Sequence, residues 1–238
     1  MGAAWRAGGV PELVRPARPV ADAVALAENA GKAALAAFGL PVPLARAVPP
    51  AEAARAAEAI GFPVVIKALS ATLTHKSEVG GVVLNVRSAA EADAAARRLA
   101  GLADRMLVEQ MVEDGVAEVL VGITVDAQFG QVLVLGSGGV MTEYLNDSTS
   151  LLPPFTAESV RSALGRLRVA RLLAGFRGKP AGDVPALVDA VLAVTRYARA
   201  HVEELAELDV NPLIVRPSGR GVIAVDVLIR LARERQHD

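Results

Sequence analysis

The chain of 238 residues is long enough for one large domain or two smaller ones, and 53% of its residues are hydrophobic although only 3% are aromatic. A formal net charge of −1 gives no general attraction to nucleic acid or to a membrane, and the absence of cysteine excludes disulfides and thiolate metal sites. The first residues lack a signal-peptide pattern, and no uncharged apolar stretch reaches about 18 residues. We therefore expect a cytoplasmic protein with no nucleic-acid or membrane partner.

The first half of the chain alternates predicted helices and strands. Residues 1–19 show no apolar periodicity and are predicted to form an N-terminal arm. Apolar residues at helical spacing predict a helix from Val20 to Phe38, and the prolines that follow predict an extended segment. The elements expected next are a helix over 50–60, a strand ending at Lys67, a polar loop over 70–81, a strand over 82–86 and a helix with Ser88 as its N-cap.

The second half is richer in strands. Three strands are predicted in close succession, over residues 105–112, 118–125 and 131–136, and a hairpin turn containing Gly130 joins the last two. Helices are predicted over 156–165 and 184–201, and the chain closes with a hairpin whose turn is PSGRG. Helices and strands mix without strict alternation, so we predict an α+β protein with mixed or antiparallel sheets.

The terminal hairpin carries a candidate metal site. Symmetric pairing about its turn places Asn211 opposite Asp226, and Asp209 points to the same face as Asn211 because it lies two residues away on the strand. Carboxylate and amide oxygens, together with a nucleotide phosphate, are ligands that suit Mg²⁺. The alternative is a solvent-facing hairpin end in which these residues have only turn roles.

The loop after Lys67 is a candidate phosphate site. Lys67 ends an apolar strand, where it either carries charge out of the core or binds a phosphate. Gly80 and Gly81 permit close approach of the backbone to an anion, and Lys76 adds positive charge. His75 lies in the same loop, where it is either a solvated side chain or a nucleophile that takes up a phosphoryl group.

The strand exit VEQMV suggests a crossover between two lobes. Glu109 and the backbone of Met111 stand at this exit, and the main chain there could hydrogen-bond adenine. Glu118 lies nine residues further on and could accept from ribose hydroxyls. The residues alone favour this no more than a surface-charge interpretation.

Together these segments resemble the ATP-grasp domain of ADP-forming acetyl-CoA synthetases and related acyl-CoA ligases. The resemblance begins near residue 20, extends to the end of the chain and rests on motifs in the expected order. They are GFPVVIK (61–67), HKSEVGGV (75–82), VEQMV (108–112), FGQVLVLGSGGV (129–140), GFRGKPAGD (175–183) and ELDVNPL (207–213).

The resemblance implies an ATP-grasp fold in which two α/β subdomains, residues 20–113 and 114–238, clamp a nucleotide. It implies that ATP or ADP and Mg²⁺ bind, and that His75 relays phosphate. The residues implied at the nucleotide are Lys67, Lys76, Gly80, Gly81, Val82, Glu109, Met111 and Glu118, and those implied at Mg²⁺ are Asp209, Asn211 and Asp226.

The resemblance also implies a partner. A separate α-type subunit, which binds CoA and carries a second phosphohistidine, would handle the carboxylic acid and acyl-CoA. Two alternatives remain open: a nucleotide-sensing module of the kind attached to some protein acetyltransferases, and an ATP-grasp ligase that joins a carboxylate directly to an amine or thiol without His75. One departure is the stretch NDSTSLLPP (146–154), which has Ser, Thr and Leu where many relatives carry an Arg.

Overall fold

The structure is a computed structural model that describes residues 13–16, 22–70, 79–139 and 147–232. The predicted site residues His75 and Lys76 lie outside these ranges. The strands are β1 (Ala23–Ala25), β2 (Ala45–Val48), β3 (Val64–Ala68), β4 (Val82–Val86), β5 (Met106–Gln110), β6 (Ala117–Asp126), β7 (Gly130–Ser137), β8 (Ser148–Leu151), β9 (Leu205–Val215), β10 (Val222–Ala224) and β11 (Val227–Ala232). The helices are α1 (Glu28–Ala36), α2 (Ala53–Ile60), α3 (Ala89–Leu99), α4 (Ala157–Leu164), α5 (Ala170–Leu173) and α6 (Val184–Ala200).

The large lobe is built on a seven-stranded antiparallel sheet. Its strand order is β1-β11-β9-β6-β7-β8, and β10 pairs with the far end of β9. Helix α6 buries an apolar stripe that includes Leu187, Val191 and Val194 against this sheet, and Leu35 of α1 joins the same core. The Asp183 side chain accepts from the Ala186 N–H and so caps the start of α6.

The small lobe has a four-stranded antiparallel sheet in the order β2-β5-β3-β4. Helices α2 and α3 cover one face of this sheet through buried alanines and Leu99. The predicted N-cap is present, because Ser88 Oγ accepts from the Glu91 N–H at 3.2 Å. Alanine-rich helices pack close to the strands, which explains how a core with so few aromatic residues fills its volume.

The N-terminal segment differs from its prediction. Instead of one helix from Val20 to Phe38, the chain forms β1, which pairs with β11, and then α1. Pairing with a sheet edge overrides the helical propensity of the alanines there. Residues 23–40, predicted to belong to the first subdomain, therefore pack with the large lobe.

The small lobe is thus an insertion within the large lobe. The chain leaves the large lobe through residues 41–44 and returns through residues 111–116. The two crossings lie side by side, because the Gln110 N–H donates to Leu44 O at 2.9 Å. On the returning segment Asp114 accepts from Arg216 at both carboxylate oxygens, at 2.7 and 2.9 Å.

Two smaller differences concern the chain ends. Of the predicted arm the structure describes only residues 13–16, where Val14 O accepts from the Gln131 N–H at 2.6 Å. The last predicted strand is divided into β10 and β11 by Val225 and Asp226. In the described residues, no helix has the length and apolar character needed to cross a membrane.

Candidate functional site

Four buried charged side chains meet where the two lobes face each other, and we call them the charge box: Glu28, Lys32, Lys67 and Glu109. Lys67 Nζ lies 2.6 Å from Glu28 Oε1 and 2.9 Å from Glu109 Oε2. Lys32 Nζ lies 2.7 Å from Glu28 Oε1 and 2.5 Å from Glu109 Oε1. Exposed fractions of only 2–6% mean that these charges are stable here only because each ammonium meets two carboxylates.

Each lobe supplies half of the charge box. Lys67 on β3 and Glu109 on β5 come from neighbouring strands of the small lobe, in which Val65 is the residue opposite Glu109. Glu28 and Lys32 lie one turn apart on α1 of the large lobe, on the same side as the buried Leu35. Glu28 and Lys32 were not predicted from the sequence, although an i,i+4 ion pair on the apolar side of a helix was a usable signal.

A backbone carbonyl completes the cluster. Val225 O accepts from Lys67 Nζ at 2.5 Å and from Lys32 Nζ at 2.8 Å. Val225 lies opposite Pro212, and its N–H donates to Pro212 O, but proline has no N–H to return the bond. The two lysines therefore satisfy a carbonyl that the Asn-Pro sequence leaves without its partner in the ladder.

The two lysines of the charge box differ in electrostatics. Burial works to lower the pKa of Lys67, but the carboxylates of Glu28, Glu109 and Asp226 outweigh it, so this pKa is raised. The pKa of Lys32 is lowered, because burial and the ammonium of Lys67 outweigh the two glutamates. Lys67 therefore keeps its proton more strongly than Lys32 does, and Asp226 is one of the carboxylates that act on it.

The structure brings Asn211 and Asp226 together as the symmetric hairpin predicted. The Asn211 N–H donates to Asp226 O at 3.2 Å, and Asn211 Oδ1 accepts from the Gly139 N–H at 3.2 Å. Asp209 shares their face of the sheet, because its neighbours Leu208 and Val210 point into the core under α6. Asp209, Asn211 and Asp226 thus present oxygen atoms on the face away from α6.

Asp209 is a half-buried acid with little to offset its charge. Burial, followed by repulsion from Glu207 and Asp226, raises its pKa to about 6. Among the residues that the structure describes, no three Asp, Glu or His side chains are grouped closely enough to hold a metal by themselves. Asp209, Asn211 and Asp226 suit Mg²⁺ because they offer oxygen ligands and carry net negative charge. Oxygen atoms of a bound nucleotide would be needed to complete the coordination.

This raised pKa predicts a pH-dependent stability. The pKa of Asp209 is 3.8 in the unfolded chain and about 6 in the folded protein. The ionised carboxylate therefore destabilises the folded state progressively as the pH rises from about 3.8 to 6, and the full destabilisation is present above pH 6. Asp209→Asn is expected to raise the free energy of unfolding by up to about 3 kcal/mol at pH 8 and by less than about 1 kcal/mol at pH 4. Urea titrations at both pH values measure this, and an equal gain at pH 4 would mean that the ionised carboxylate is not the cause.

The glycine segment predicted for phosphate lies beside Lys67. Val82, the first residue of β4, is the strand partner of Lys67, and Gly81 O accepts from the Ala68 N–H at 2.8 Å. Gly80 precedes them with a φ of +70°, which favours glycine. Lys67, Gly80, Gly81 and Val82 are therefore brought together, whereas His75 and Lys76 lie outside the described residues.

Met111 and Glu118, the other residues predicted at the nucleotide, already have contacts within the protein. The Met111 N–H donates to Pro63 O at 3.1 Å, so in this structure it is not available to adenine. Glu118 is exposed and lies against Gly139, where an added Cβ would overlap Glu118 Oε2. Gly139 in turn contacts Asn211, which links Glu118 to the predicted metal residues.

The stretch that departs from the resemblance forms β8, an edge strand that the sequence did not predict. Thr149 of β8 faces an arginine from elsewhere in the chain, because Arg166 Nη2 lies 3.3 Å from Thr149 Oγ1. The neighbouring Asp147 accepts from Ser137 Oγ at 2.5 Å and from the Arg168 N–H at 2.8 Å. A guanidinium is thus present beside β8 although β8 carries no Arg.

The two α/β lobes agree with the two subdomains that the resemblance to the ATP-grasp fold implies. A family model described as an ATP-grasp domain matches residues 20–231, and the chain belongs to this family. The fold class inferred from the sequence is therefore confirmed.

Individual relatives narrow the comparison. The β subunit of the ADP-forming acetate–CoA ligase II of Pyrococcus furiosus is 34% identical over 219 residues, which cover 87% of this chain and 92% of that protein. A trans-feruloyl-CoA synthase from an unknown prokaryotic organism is 39% identical over 207 residues, which cover 80% of this chain but 29% of that protein.

A solved structure gives the same result. It is the dinucleotide forming acetyl-coenzyme A synthetase 1 of Ca. Korarchaeum cryptofilum, in complex with coenzyme A and Mg-AMPPCP. The TM-score is 0.76 at 35% identity, with 87% of this chain and 92% of that chain covered. In that structure the phosphohistidine segment points towards the nucleotide binding site.

Proposed function

We propose that this protein is the nucleotide-binding β-type subunit of an ADP-forming acyl-CoA ligase. The observation that carries the proposal is that Lys67, the strand partner of Val82 in the glycine segment, meets Val225 and the charge of Asp226 across the cleft, with Asn211 bonded to Asp226. A cation beside a glycine segment suits a phosphate, and the oxygen set opposite suits the Mg²⁺ that accompanies it. Relatives that match nearly their whole length to this chain are β subunits of such ligases, which favours a ligase over a sensing module.

The proposed site divides its work between the lobes. Lys67 and the backbone of Gly80, Gly81 and Val82 are proposed to bind the nucleotide phosphates from the small lobe, and the Met111 carbonyl and Glu118 are proposed to face adenine and ribose. Glu109, predicted at adenine, is instead paired with Lys32 and Lys67 in the charge box. From the large lobe, Asp209, Asn211 and Asp226 would hold Mg²⁺. The chemistry that Mg²⁺ would supply there is electrostatic stabilisation of the negative charge on the phosphates.

His75 is proposed as the phosphoryl carrier. Its imidazole nitrogen forms a bond to phosphorus as the bond to the departing ADP breaks, with loss of the ring proton, and the reverse step makes ATP. The CoA site and the second phosphohistidine are proposed to belong to an α-type partner subunit that handles the carboxylic acid and the acyl-CoA. Lys76, next to His75, is proposed to bind the transferred group.

Calorimetry with Mg-ADP tests the nucleotide site. The wild type is expected to bind, and Lys67→Ala is expected to weaken binding by about tenfold or more, because a hydrogen bond to a charged group contributes roughly 1.5–3 kcal/mol. Lys179→Ala is the matched control, since Lys179 is an exposed lysine in a loop. No heat of binding at millimolar nucleotide would refute the proposed function.

The metal residues have their own test. Asp226→Asn keeps the shape of the side chain but removes its charge, so the Mg²⁺ concentration for half-maximal nucleotide binding is expected to rise severalfold. Asp189→Asn on α6 provides a control at a distance from the site. If Asp226→Asn and Asn211→Ala both leave the Mg²⁺ dependence unchanged, the hairpin end is structural and the metal binds elsewhere.

A further inference from the structure

The charge box leaves Lys67 no N–H with which to bind a nucleotide. An ammonium has three donors, and those of Lys67 face Glu28 Oε1, Glu109 Oε2 and Val225 O at 2.6, 2.9 and 2.5 Å. Lys67 is nonetheless the cation proposed to bind phosphate. A phosphate oxygen can reach it only by taking the place of one of these three acceptors.

The architecture indicates which acceptors give way. Glu109 stands beside Lys67 in the small sheet, so their contact does not depend on the distance between the lobes. Glu28 and Val225 belong to the large lobe and meet Lys67 only across the cleft. Separation of the lobes therefore removes two acceptors from Lys67 and keeps Glu109.

Of these two acceptors, Glu28 is the one that resembles a phosphate. A carboxylate oxygen and a phosphate oxygen are both anionic and accept the same short, charge-assisted hydrogen bonds. Exchanging one anion for another keeps the ammonium of Lys67 neutralised, whereas exchanging the Val225 carbonyl adds a negative charge to the cluster.

Lys32 makes this exchange feasible. It lies four residues after Glu28 on α1, and its Nζ is 2.7 Å from Glu28 Oε1. This contact is internal to one helix, so it survives movement of the lobes. When Glu28 leaves Lys67 it remains paired, and the large cost of an unpaired buried carboxylate is avoided.

We infer that Glu28 is a placeholder for a nucleotide phosphate, occupying Lys67 in the ligand-free protein and handing it over when nucleotide binds. Lys32 is the residue that retains Glu28 after the exchange. This inference rests on the proposed function and adds to it two residues of α1: Glu28, which competes with phosphate for Lys67, and Lys32, which holds Glu28 after the exchange.

A purely structural charge box predicts different results. If Glu28 only holds the lobes together, its removal lowers stability and leaves nucleotide affinity unchanged or weaker. If Glu28 is a placeholder, its removal lowers stability but strengthens nucleotide binding, because a competitor for Lys67 has gone. The two effects of one substitution then have opposite signs.

The experiment measures the Kd for Mg-ADP by calorimetry, together with the urea midpoint, for the full chain. Glu28→Gln is expected to bind Mg-ADP about tenfold more tightly than the wild type while unfolding at lower urea. Glu28→Asp, which keeps the charge but shortens the reach, covers the case in which the Gln variant does not fold and is expected to tighten binding less. Lys32→Met is expected to weaken binding of Mg-ADP. Without Lys32, Glu28 has only Lys67 as a partner in the charge box and therefore competes more strongly with the nucleotide phosphate.

The control is Glu204→Gln, an exposed glutamate on the large lobe that is expected to change neither quantity. If a folded Glu28 variant binds Mg-ADP with unchanged or weaker affinity, Glu28 is not a placeholder. Binding of Mg-ADP by the wild type in the same experiment would still support the proposed function. Absence of Mg-ADP binding by the wild type removes the proposed function itself, and the two failures are therefore distinguishable.

Discussion

Incubation of the chain with Mg-ATP labelled on its γ-phosphate is expected to give an acid-labile, base-stable phosphohistidine in the wild type and none in His75→Ala. His75 is the proposed nucleophile, and removing a nucleophile stops phosphoryl transfer rather than slowing it slightly. Mg-ADP affinity is expected to change less than about twofold, because His75 is not among the residues proposed to bind the nucleotide. Label retained on the enzyme and calorimetry measure these two quantities separately.

His201→Ala is the matched control for this experiment. His201 caps the end of α6, where its Nδ1 lies 2.9 Å from Tyr197 O and its ring stacks on Tyr197 at 4.0 Å. Its ring packs against Phe38, beyond the end of α1 opposite to Glu28, so the label is expected to persist. His75→Asn keeps hydrogen-bonding capacity without a nucleophilic nitrogen, and near-wild-type labelling in either His75 variant would show that His75 is not the carrier.

Lys32→Met is expected to cause a large loss of stability. It leaves Lys67 as the one ammonium of the charge box beside Glu28 and Glu109, and it removes one of the two lysine donors to Val225 O. Breaking a buried ion pair by removing one partner costs roughly 3–5 kcal/mol, because the remaining charge is left uncompensated. Urea or thermal unfolding measures the loss at pH 7.

Two comparisons make this result specific to the charge box. Arg97→Met breaks an exposed i,i+4 pair with Asp93 on α3 and is expected to cost less than about 1 kcal/mol. The double variant Lys32→Met with Glu28→Gln restores neutrality around Lys67 and Glu109 and is expected to recover part of the lost stability. Equal losses for Lys32→Met and Arg97→Met would mean that the charge box is not a net stabilising unit.

The elements of the fold that sequence predicts well are those fixed by local chemistry. Ser88 caps α3, and the symmetric turn of the terminal hairpin sets Asn211 opposite Asp226. These features depend on a few consecutive residues or on counting outward from a turn. The same is true of the overall class, because periodicity and order of elements already exclude strict β-α-β alternation.

What sequence cannot supply is the meeting of residues from separate elements. The alanine-rich stretch before Glu28 favours a helix locally, and only the edge of β11 explains why β1 forms there. Lys67 was recognised as a cation at a strand end, but its partners Glu28 and Val225 are distant in the chain. Their proximity depends on how the two lobes fold against each other, for which local propensity carries no information.

The paired crossings between the lobes restrict how the cleft can move. A single connecting segment would let the small lobe rotate about that segment. Two adjacent connecting segments, joined by the hydrogen bond between Gln110 and Leu44, restrict this rotation and allow mainly a bending motion. The bidentate contact of Arg216 with Asp114 anchors the returning strand to the large lobe. We therefore expect any movement between the lobes to be a bending that preserves their alignment and returns Lys67 to the carbonyl of Val225 rather than to a neighbouring peptide.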